Sequence, residues 1–278
     1  MKHGRGQSLH NQTIRPSSFI PPKKHLGQVF LTDQNIIDKI IASSDLKNTD
    51  TILEIGPGRG TLTRAIAKHA KEVIAVETDK RFCEQLNQEL KENNVRIIHA
   101  DFLKFDIAKL PHNLIIIGNL PYYITSPIMT RLLKYRDHFT SLFLTVQLEF
   151  GRRMIAKMNT KEYSALTCFI QYYTDTTMLF KIKNTSFKPR PKVDSCFMHL
   201  KILEKPSYPV TNESLLFKII HSAFQQRRKT LANALRKMIE KEKLLAILHS
   251  LHINPQARAE NISLGDFVKI TNAVDFRK

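Results

Sequence analysis

Three of the nine glycines in this chain, Gly56, Gly58 and Gly60, fall within five residues of one another. They directly follow Thr51–Ile55, an aliphatic and β-branched run that is typical of a buried strand. Glycine has no Cβ atom, so its backbone can turn tightly and approach a ligand closely. A glycine loop between a strand and a helix indicates a nucleotide-binding corner. The alternative is an ordinary tight turn between the two elements.

Acidic residues accompany this loop. Glu77 ends the run Val73–Val76, where a carboxylate can accept hydrogen bonds from both hydroxyls of a ribose. Asp101 follows the next run and could accept a hydrogen bond from an adenine amino group. Glu54, beside the loop, would oppose the pyrophosphate of a dinucleotide and instead suits a ligand with an ammonium group. No Gly-Lys-Ser/Thr of a P-loop follows, so these features favour S-adenosylmethionine as the cofactor.

The sequence Gly-Asn-Leu-Pro-Tyr-Tyr at residues 118–123 follows the fourth apolar run, where an open α/β sheet binds its ligands. The lone pair of an adenine N6 is delocalised into the ring, so its methylation requires acceptors that hold the amino hydrogens and favour a tetrahedral nitrogen. The Asn119 side-chain oxygen and the Leu120 carbonyl could be these acceptors. Pro121 would fix the turn, and Tyr122 offers a face to a flipped base. The alternative is a turn with a packed tyrosine.

Apolar runs alternate with stretches of helical spacing over the first two thirds of the chain, which predicts a doubly wound α/β domain. Beyond Pro206 and Pro209 the pattern is helical. The predicted strands are Thr51–Ile55, Val73–Val76, Val95–His99, Leu114–Ile117, Ser141–Val146 and Val193–Leu200. The predicted helices are Thr61–His69, Lys80–Asn93, Leu215–Phe224, Thr230–Ile239, Leu244–Leu251 and a last one opened by a Ser263–Asp266 capping box. We therefore expect a flexible basic arm over 1–22, an α/β domain over 23–203 and a smaller helical domain over 204–278.

The net charge of +18 predicts a polyanionic partner. About half of this charge lies from residue 185 onward, which suggests that the smaller helical domain binds the phosphates of a polyanion. Two groups of cations are the candidate RNA contacts: Lys188, Arg190 and Lys192, and Arg227, Arg228 and Lys229, which we expect to open a helix. The alternative for the second group is a solvated helix end, and Arg152 with Arg153 fits a solvated face equally well.

Other classes of protein are excluded by simple counts. The three cysteines have no paired spacing, so neither a disulfide framework nor a zinc site fits, and the eleven histidines form no metal-binding group. The longest apolar runs are strand-sized, which excludes a membrane span. We expect a cytoplasmic monomer without a metal. The acid-poor, basic start of the chain leaves an organellar transit peptide open as an alternative.

Several motifs occur in a fixed order along the chain, and together they resemble the ribosomal RNA adenine N6,N6-dimethyltransferase family, most of all its bacterial small-subunit branch. The resemblance covers nearly everything after Lys23. The motifs are Lys24–Leu31, Leu53–Thr63, Val76–Glu77, Asp101, Gly118–Pro127, Phe187–Ser195 and Arg227–Leu231.

The resemblance implies a Rossmann-like S-adenosylmethionine-dependent methyltransferase domain with a small helical domain. It implies transfer of four methyl groups to two adjacent adenines in the terminal hairpin loop of small-subunit rRNA, on assembling 30S subunits. Phe187 would be the second stacking face for the target adenine. Val29 departs from the Asn or His usual in the family, although a main-chain contact could survive there. The cofactor contacts would fall on Val29, Leu31, Gly56, Gly58, Glu77, Asp101 and Asn119.

Two alternatives share these motifs. One is a large-subunit rRNA adenine methyltransferase of the antibiotic-resistance type. The other is a 30S assembly factor whose useful act is to bind and leave the immature subunit, with methylation secondary. The intact motif around Asn119 favours a working enzyme over a pure binding protein.

Overall fold

The computed structural model of this protein describes residues 20–23 and 26–275. The predicted basic arm over residues 1–22 therefore lies outside the described residues except for its last three.

A seven-stranded sheet forms the centre of the molecule, in the order β4-β3-β2-β5-β6-β9-β7. The first five of these strands are parallel, and β9 runs antiparallel to both of its neighbours. A separate ribbon pairs β1 with β8 antiparallel. The strands are β1 Phe30–Leu31, β2 Thr51–Ile55, β3 Glu72–Glu77, β4 Val95–His99, β5 Leu114–Asn119, β6 Phe139–Gln147, β7 Thr174–Ile182, β8 Phe187–Lys188 and β9 Ser195–Ile202.

Helices cover both faces of this sheet and continue beyond its last strand. Several begin at a side chain that accepts a hydrogen bond from the first turn, such as Asp33, Asp79 and Asn212. The helices are α1 Gln34–Ser44, α2 Thr61–Ala67, α3 Lys80–Glu89, α4 Thr125–Lys134, α5 Leu148–Met154, α6 Ala165–Tyr173, α7 Glu213–Gln225, α8 Leu231–Leu235, α9 Lys241–Ser250 and α10 Leu264–Asp275.

Two hydrophobic clusters lie on the two faces of the sheet, since successive strand residues point to opposite sides. On β2, Leu53 and Ile55 belong to the larger cluster and Ile52 to the smaller. The larger cluster continues into the C-terminal helices, where it includes Leu216 and Phe267. The helical region therefore shares one hydrophobic cluster with the sheet and packs against α6 through α7. The boundary at residues 203 and 204 stays a prediction.

The predicted α/β class is confirmed, and each predicted strand lies within two residues of an observed one at both ends. Strand β7 was not predicted, because it begins with the polar sequence Thr-Asp-Thr-Thr and lies at the edge of the sheet. The capping box of the last helix is confirmed: Ser263 Oγ accepts from the Asp266 backbone N–H and donates to its carboxylate.

Candidate active site

A cavity of about 270 Å³ lies at the carboxyl ends of β2, β3 and β5. The strand order reverses between β2 and β5, because the chain runs outward through β3 and β4 and then returns. An open α/β sheet forms its ligand crevice at such a switch point. The cavity is lined by the glycine loop, Glu54, Glu77, Asp101, residues 119–124 and the segment 26–31.

The glycine loop forms the floor of this cavity. Gly56, Gly58 and Gly60 all have positive φ angles, of 70°, 53° and 72°, which other residues rarely adopt. A Cβ atom at Gly56 would meet no atom within 4 Å, so the backbone there faces open space. A Cβ atom at Gly58 would lie 2.8 Å from the Phe30 ring. The loop is therefore more than a tight turn, because its first glycine leaves room for a ligand.

Glu77 anchors the glycine loop. Its Oε2 accepts a hydrogen bond of 2.9 Å from the Gly58 N–H, and its Oε1 accepts one of 2.8 Å from the Asp79 N–H. Each carboxylate oxygen has a second lone pair, which remains for a ligand hydroxyl. Burial raises the pKa of Glu77. The carboxylate thus shapes the loop and lines the cavity at the same time.

Glu54 is a buried carboxylate with an unpaired oxygen. Only 1% of the residue is exposed, and its Oε2 has no hydrogen-bond partner among the described residues. Burial raises the pKa of Glu54 to about 8, and the negative charge of Glu77 adds to the rise. A buried carboxyl oxygen without a partner is costly in a folded protein. A cationic ligand group in the cavity would relieve that cost, as predicted for an ammonium.

Asn119 has a fixed amide orientation at the end of β5. Its Nδ2 donates a hydrogen bond of 2.8 Å to the backbone carbonyl of Val29. The Oδ1 atom is therefore left as an acceptor on a residue that lines the cavity. This bond uses the main chain of Val29 and does not depend on its side chain, and a contact between Val29 and the cofactor stays a prediction.

The next three residues form a turn above the cavity. Leu120 is buried, and its N–H donates to the Thr145 carbonyl on β6. Pro121 accepts hydrogen bonds from the Ile124 N–H and from the Thr125 hydroxyl. Tyr122 is half-buried, and its hydroxyl lies 2.6 Å from Ser195 Oγ. Burial raises the pKa of Tyr122, so this side chain is a neutral aromatic surface rather than a base.

The segment 26–31 crosses the mouth of the cavity and is attached to the start of α3. Gln28 donates a hydrogen bond of 3.1 Å to Asp79, which also pairs with Lys23 and Arg81. The Arg81 guanidinium holds the pKa of the Asp79 carboxyl well below its usual range. Leu31, a predicted cofactor contact, lines the cavity. Sequence reasoning missed Asp79, for which the only signal was its position before a helical stretch.

Asp101 lies at the rim of the cavity, where its side chain is exposed. Its Oδ1 accepts a hydrogen bond of 2.9 Å from the Leu103 N–H, which orders the turn after β4. The second carboxylate oxygen is available to a ligand amino group.

Phe187 does not lie where the sequence predicts it. The residue is 1% exposed and packs in the smaller core cluster with Leu31, Ile182 and Phe197, away from the cavity lining. The pairing of β8 with β1 places it there. The prediction that Phe187 faces the cleft is therefore wrong for this structure.

The predicted RNA cations divide into two kinds. Lys188, Arg190, Lys192, Arg228 and Lys229 are exposed or half-exposed and stay candidates for phosphate contact. Arg227 instead donates to the Lys161 carbonyl at 2.9 Å and pairs with Glu260 at 2.8 Å. Residues 227–229 lie in the turn before α8 and do not open that helix. The expectation that these residues open a helix is therefore wrong, and phosphate contact by Arg227, which joins two parts of the protein, stays a prediction.

Residues 20–23 and 26–275 contain no group of three or more His, Cys, Asp or Glu side chains that could bind a metal ion. No helix in the same ranges is long and apolar enough to cross a membrane. The three cysteines, Cys83, Cys168 and Cys196, are buried and unpaired with one another.

Comparison with known proteins places this site in a family. Ribosomal RNA small subunit methyltransferase A of Clostridium botulinum (strain Loch Maree / Type A3) is 41% identical over 256 residues, which cover 90% of this chain and 93% of the relative. The protein of the same name from Clostridium acetobutylicum is 40% identical over the same shares.

Two solved structures share the fold over most of the chain. A dimethyladenosine transferase from Plasmodium falciparum matches with a TM-score of 0.77 and 28% identity, covering 89% of this chain and 97% of that one. The 23S rRNA methyltransferase ErmE matches with a TM-score of 0.70 and 26% identity, covering 88% and 99%. The family described as ribosomal RNA adenine dimethylase matches residues 21–275. The chain belongs to the ribosomal RNA adenine dimethylase family.

Proposed function

We propose that this protein is an S-adenosylmethionine-dependent methyltransferase that dimethylates N6 of two adjacent adenines in the 3′-terminal hairpin loop of small-subunit rRNA, on assembling 30S subunits. The observation that carries the proposal is the fixed amide of Asn119. Its Nδ2 is bonded to the Val29 carbonyl, and its Oδ1 is left for the amino group of a base. The names of the bacterial relatives support the small subunit as the substrate.

The cavity suits the methyl donor. S-adenosylmethionine would supply a methyl group that is bound to a positively charged sulfur. After the transfer, this sulfur would be part of a neutral thioether, which is the leaving group. Glu77 has lone pairs for the ribose hydroxyls, and Asp101 has one for the adenine amino group. The orphaned Glu54 oxygen would face the ammonium group. The open space at Gly56 lets the backbone approach the donor closely.

The chain's own residues then prepare the target amine. In the first transfer, Asn119 Oδ1 and the Leu120 carbonyl accept the two N6 hydrogens and draw the nitrogen lone pair out of conjugation with the ring. In the second transfer, one hydrogen remains on N6, and one of these acceptors holds it. This interaction strengthens as the nitrogen becomes tetrahedral, so it lowers the barrier rather than only improving binding. Tyr122 stacks on the base, which must leave its stack in the hairpin loop to reach the cavity. No strong base is required, because the alkylated amine loses its proton readily.

The exposed cations support an RNA substrate. Lys188, Arg190, Lys192, Arg228 and Lys229 are all solvent-accessible, and the chain carries a net charge of +18. We propose that they contact phosphates of the 30S subunit and that the protein acts as a cytoplasmic monomer without a metal.

The similarity to a 23S rRNA methyltransferase makes the large subunit the competing substrate. The test is transfer of labelled methyl groups from S-adenosylmethionine to 30S subunits from cells that lack these methylations. Purified 50S subunits and naked large-subunit RNA are offered in parallel, and the products are mapped by mass spectrometry. We expect label on two adjacent adenines of 30S alone. Label on the large subunit, or none on either, would contradict the proposal.

A further inference from the structure

Tyr123 is the most exposed large hydrophobic side chain among the described residues, with 58% of its surface accessible. It lies directly after Tyr122 and lines the same cavity as Asn119. An exposed aromatic ring at the mouth of an RNA-binding site is suited to stack on a base.

The two neighbouring tyrosines differ in how they are fixed. The Tyr122 hydroxyl is bonded at 2.6 Å to Ser195, which is fully buried at the start of β9. The β9 backbone pairs Ser195 with both Gln147 and Ile182, so the anchor is part of the sheet. The Tyr122 side chain is therefore fixed to the sheet, while the Tyr123 ring is open to solvent.

One edge of the Tyr123 ring rests on the backbone of Gly27. A Cβ atom at Gly27 would lie 2.8 Å from Cδ1 and 3.0 Å from Cε1 of the ring, and the φ of Gly27 is +58°. Only a glycine combines this backbone angle with this close approach. The ring is thus supported on one side and open elsewhere, as a stacking surface must be.

We infer that Tyr123, supported by Gly27, is a second nucleobase subsite that holds the base next to the one in the active site. This inference rests on the proposed function, in which the two target adenines are adjacent. Tyr122 stacks on the reacting base, and Tyr123 stacks on its neighbour. The consecutive tyrosines of the short 3₁₀ turn Tyr122–Ile124 thereby match consecutive bases of the RNA.

The test compares Tyr123→Ala and Tyr123→Phe with wild type on unmethylated 30S subunits. Stacking on an aromatic ring contributes enough per base that we expect the KM for 30S to rise about 5-fold to 150-fold in Tyr123→Ala. The kcat and the affinity for S-adenosylmethionine should stay within about twofold, and Tyr123→Phe should restore the KM because it keeps the ring.

Tyr208→Ala is the matched control. Tyr208 is also an exposed tyrosine, 43% accessible, whose ring lies against a glycine, Gly265, in the helical region. We expect the KM of Tyr208→Ala for 30S subunits to equal that of wild type.

Three results would overturn the inference: an unchanged KM in Tyr123→Ala, an equal rise in Tyr208→Ala, or a matching loss of cofactor affinity, which would show that Tyr123 only supports the segment 26–31. With any of these three results, the wild-type protein would still methylate 30S subunits, so the inference would fail while the proposed function stands. Its own failure would appear as an inactive wild type.

Discussion

The cofactor cavity and the basic turn at residues 227–229 both contain charged side chains, but the two regions fix them differently. In the cavity, Glu54 and Glu77 are buried, and Glu77 is bonded to two backbone N–H groups. In the basic turn, Arg227 is tied to Glu260, whereas Arg228 and Lys229 are open to solvent. A single substitution in the cavity should therefore remove a defined interaction, whereas cations in the turn should act through their summed charge.

The largest expected effect is that of Asn119→Ala. Loss of one preorganised acceptor reduces a rate by about 100-fold to 1000-fold, and the interaction is strongest in the transition state, so turnover should fall more than 30S binding. The measurement is single-turnover methylation of unmethylated 30S at saturating cofactor. A rate within about threefold of wild type would remove Asn119 from the mechanism.

Glu77→Ala should reduce the affinity for S-adenosylmethionine by about 30-fold, which corresponds to about 2 kcal/mol, because charge-assisted hydrogen bonds to the ribose are removed. The glycine loop also loses the acceptor of the Gly58 N–H. Calorimetry on the folded variant measures the affinity, with circular dichroism as the control for folding. Unchanged affinity would exclude Glu77 from the cofactor site.

The raised pKa of Glu54 predicts that stability depends on pH, and the raised pKa of Glu77 acts in the same direction. Its pKa in the folded protein, about 8, lies above the ordinary value of 4.5. Between these values the unfolded chain has released a proton that the folded protein keeps, so stability of the cofactor-free protein should fall as the pH rises from about 4.5 to 8. Urea unfolding at several pH values tests this.

The control for that titration is Glu54→Gln, which should reduce the pH dependence to the part that Glu77 contributes, because its amide does not ionise. If the variant and wild type lose stability in parallel across this range, the unpaired carboxyl is not the cause.

The smallest effects should come from the basic turn, where position matters less than charge. Charge reversal of Arg228 and Lys229 should weaken 30S binding and reduce the slope of log K against log salt by about 0.7 to 0.9 for each phosphate that is no longer neutralised. Arg227→Ala should leave the slope unchanged and lower stability slightly, since its ion pair with Glu260 is part-exposed. If Arg227→Ala changes the slope as much, all three cations bind RNA, and the contrast between the two regions fails.

Prediction from the sequence succeeded for residues at the ends of strands and failed for residues whose position depends on distant contacts. The glycine loop, Glu77 and Asn119 could be located because each comes at the end of a strand, and parallel strands bring their carboxyl ends to one edge. The position of Phe187 could not be predicted, because its burial depends on pairing with residue 31, far away in the sequence. The ion pair of Arg227 could not be predicted either, since only the fold brings this residue to Glu260. The hydrogen bond between Ser195 and Tyr122 is invisible in the sequence for the same reason.

The hydrogen bond from Asn119 to the Val29 carbonyl has a consequence for evolutionary drift. A main-chain carbonyl is present whatever side chain the residue carries, so position 29 can change its amino acid and keep the bond that orients the Asn119 amide. The valine at position 29 therefore leaves this bond intact. A change that displaces the backbone at this position would be far less tolerated than a replacement of the Val29 side chain.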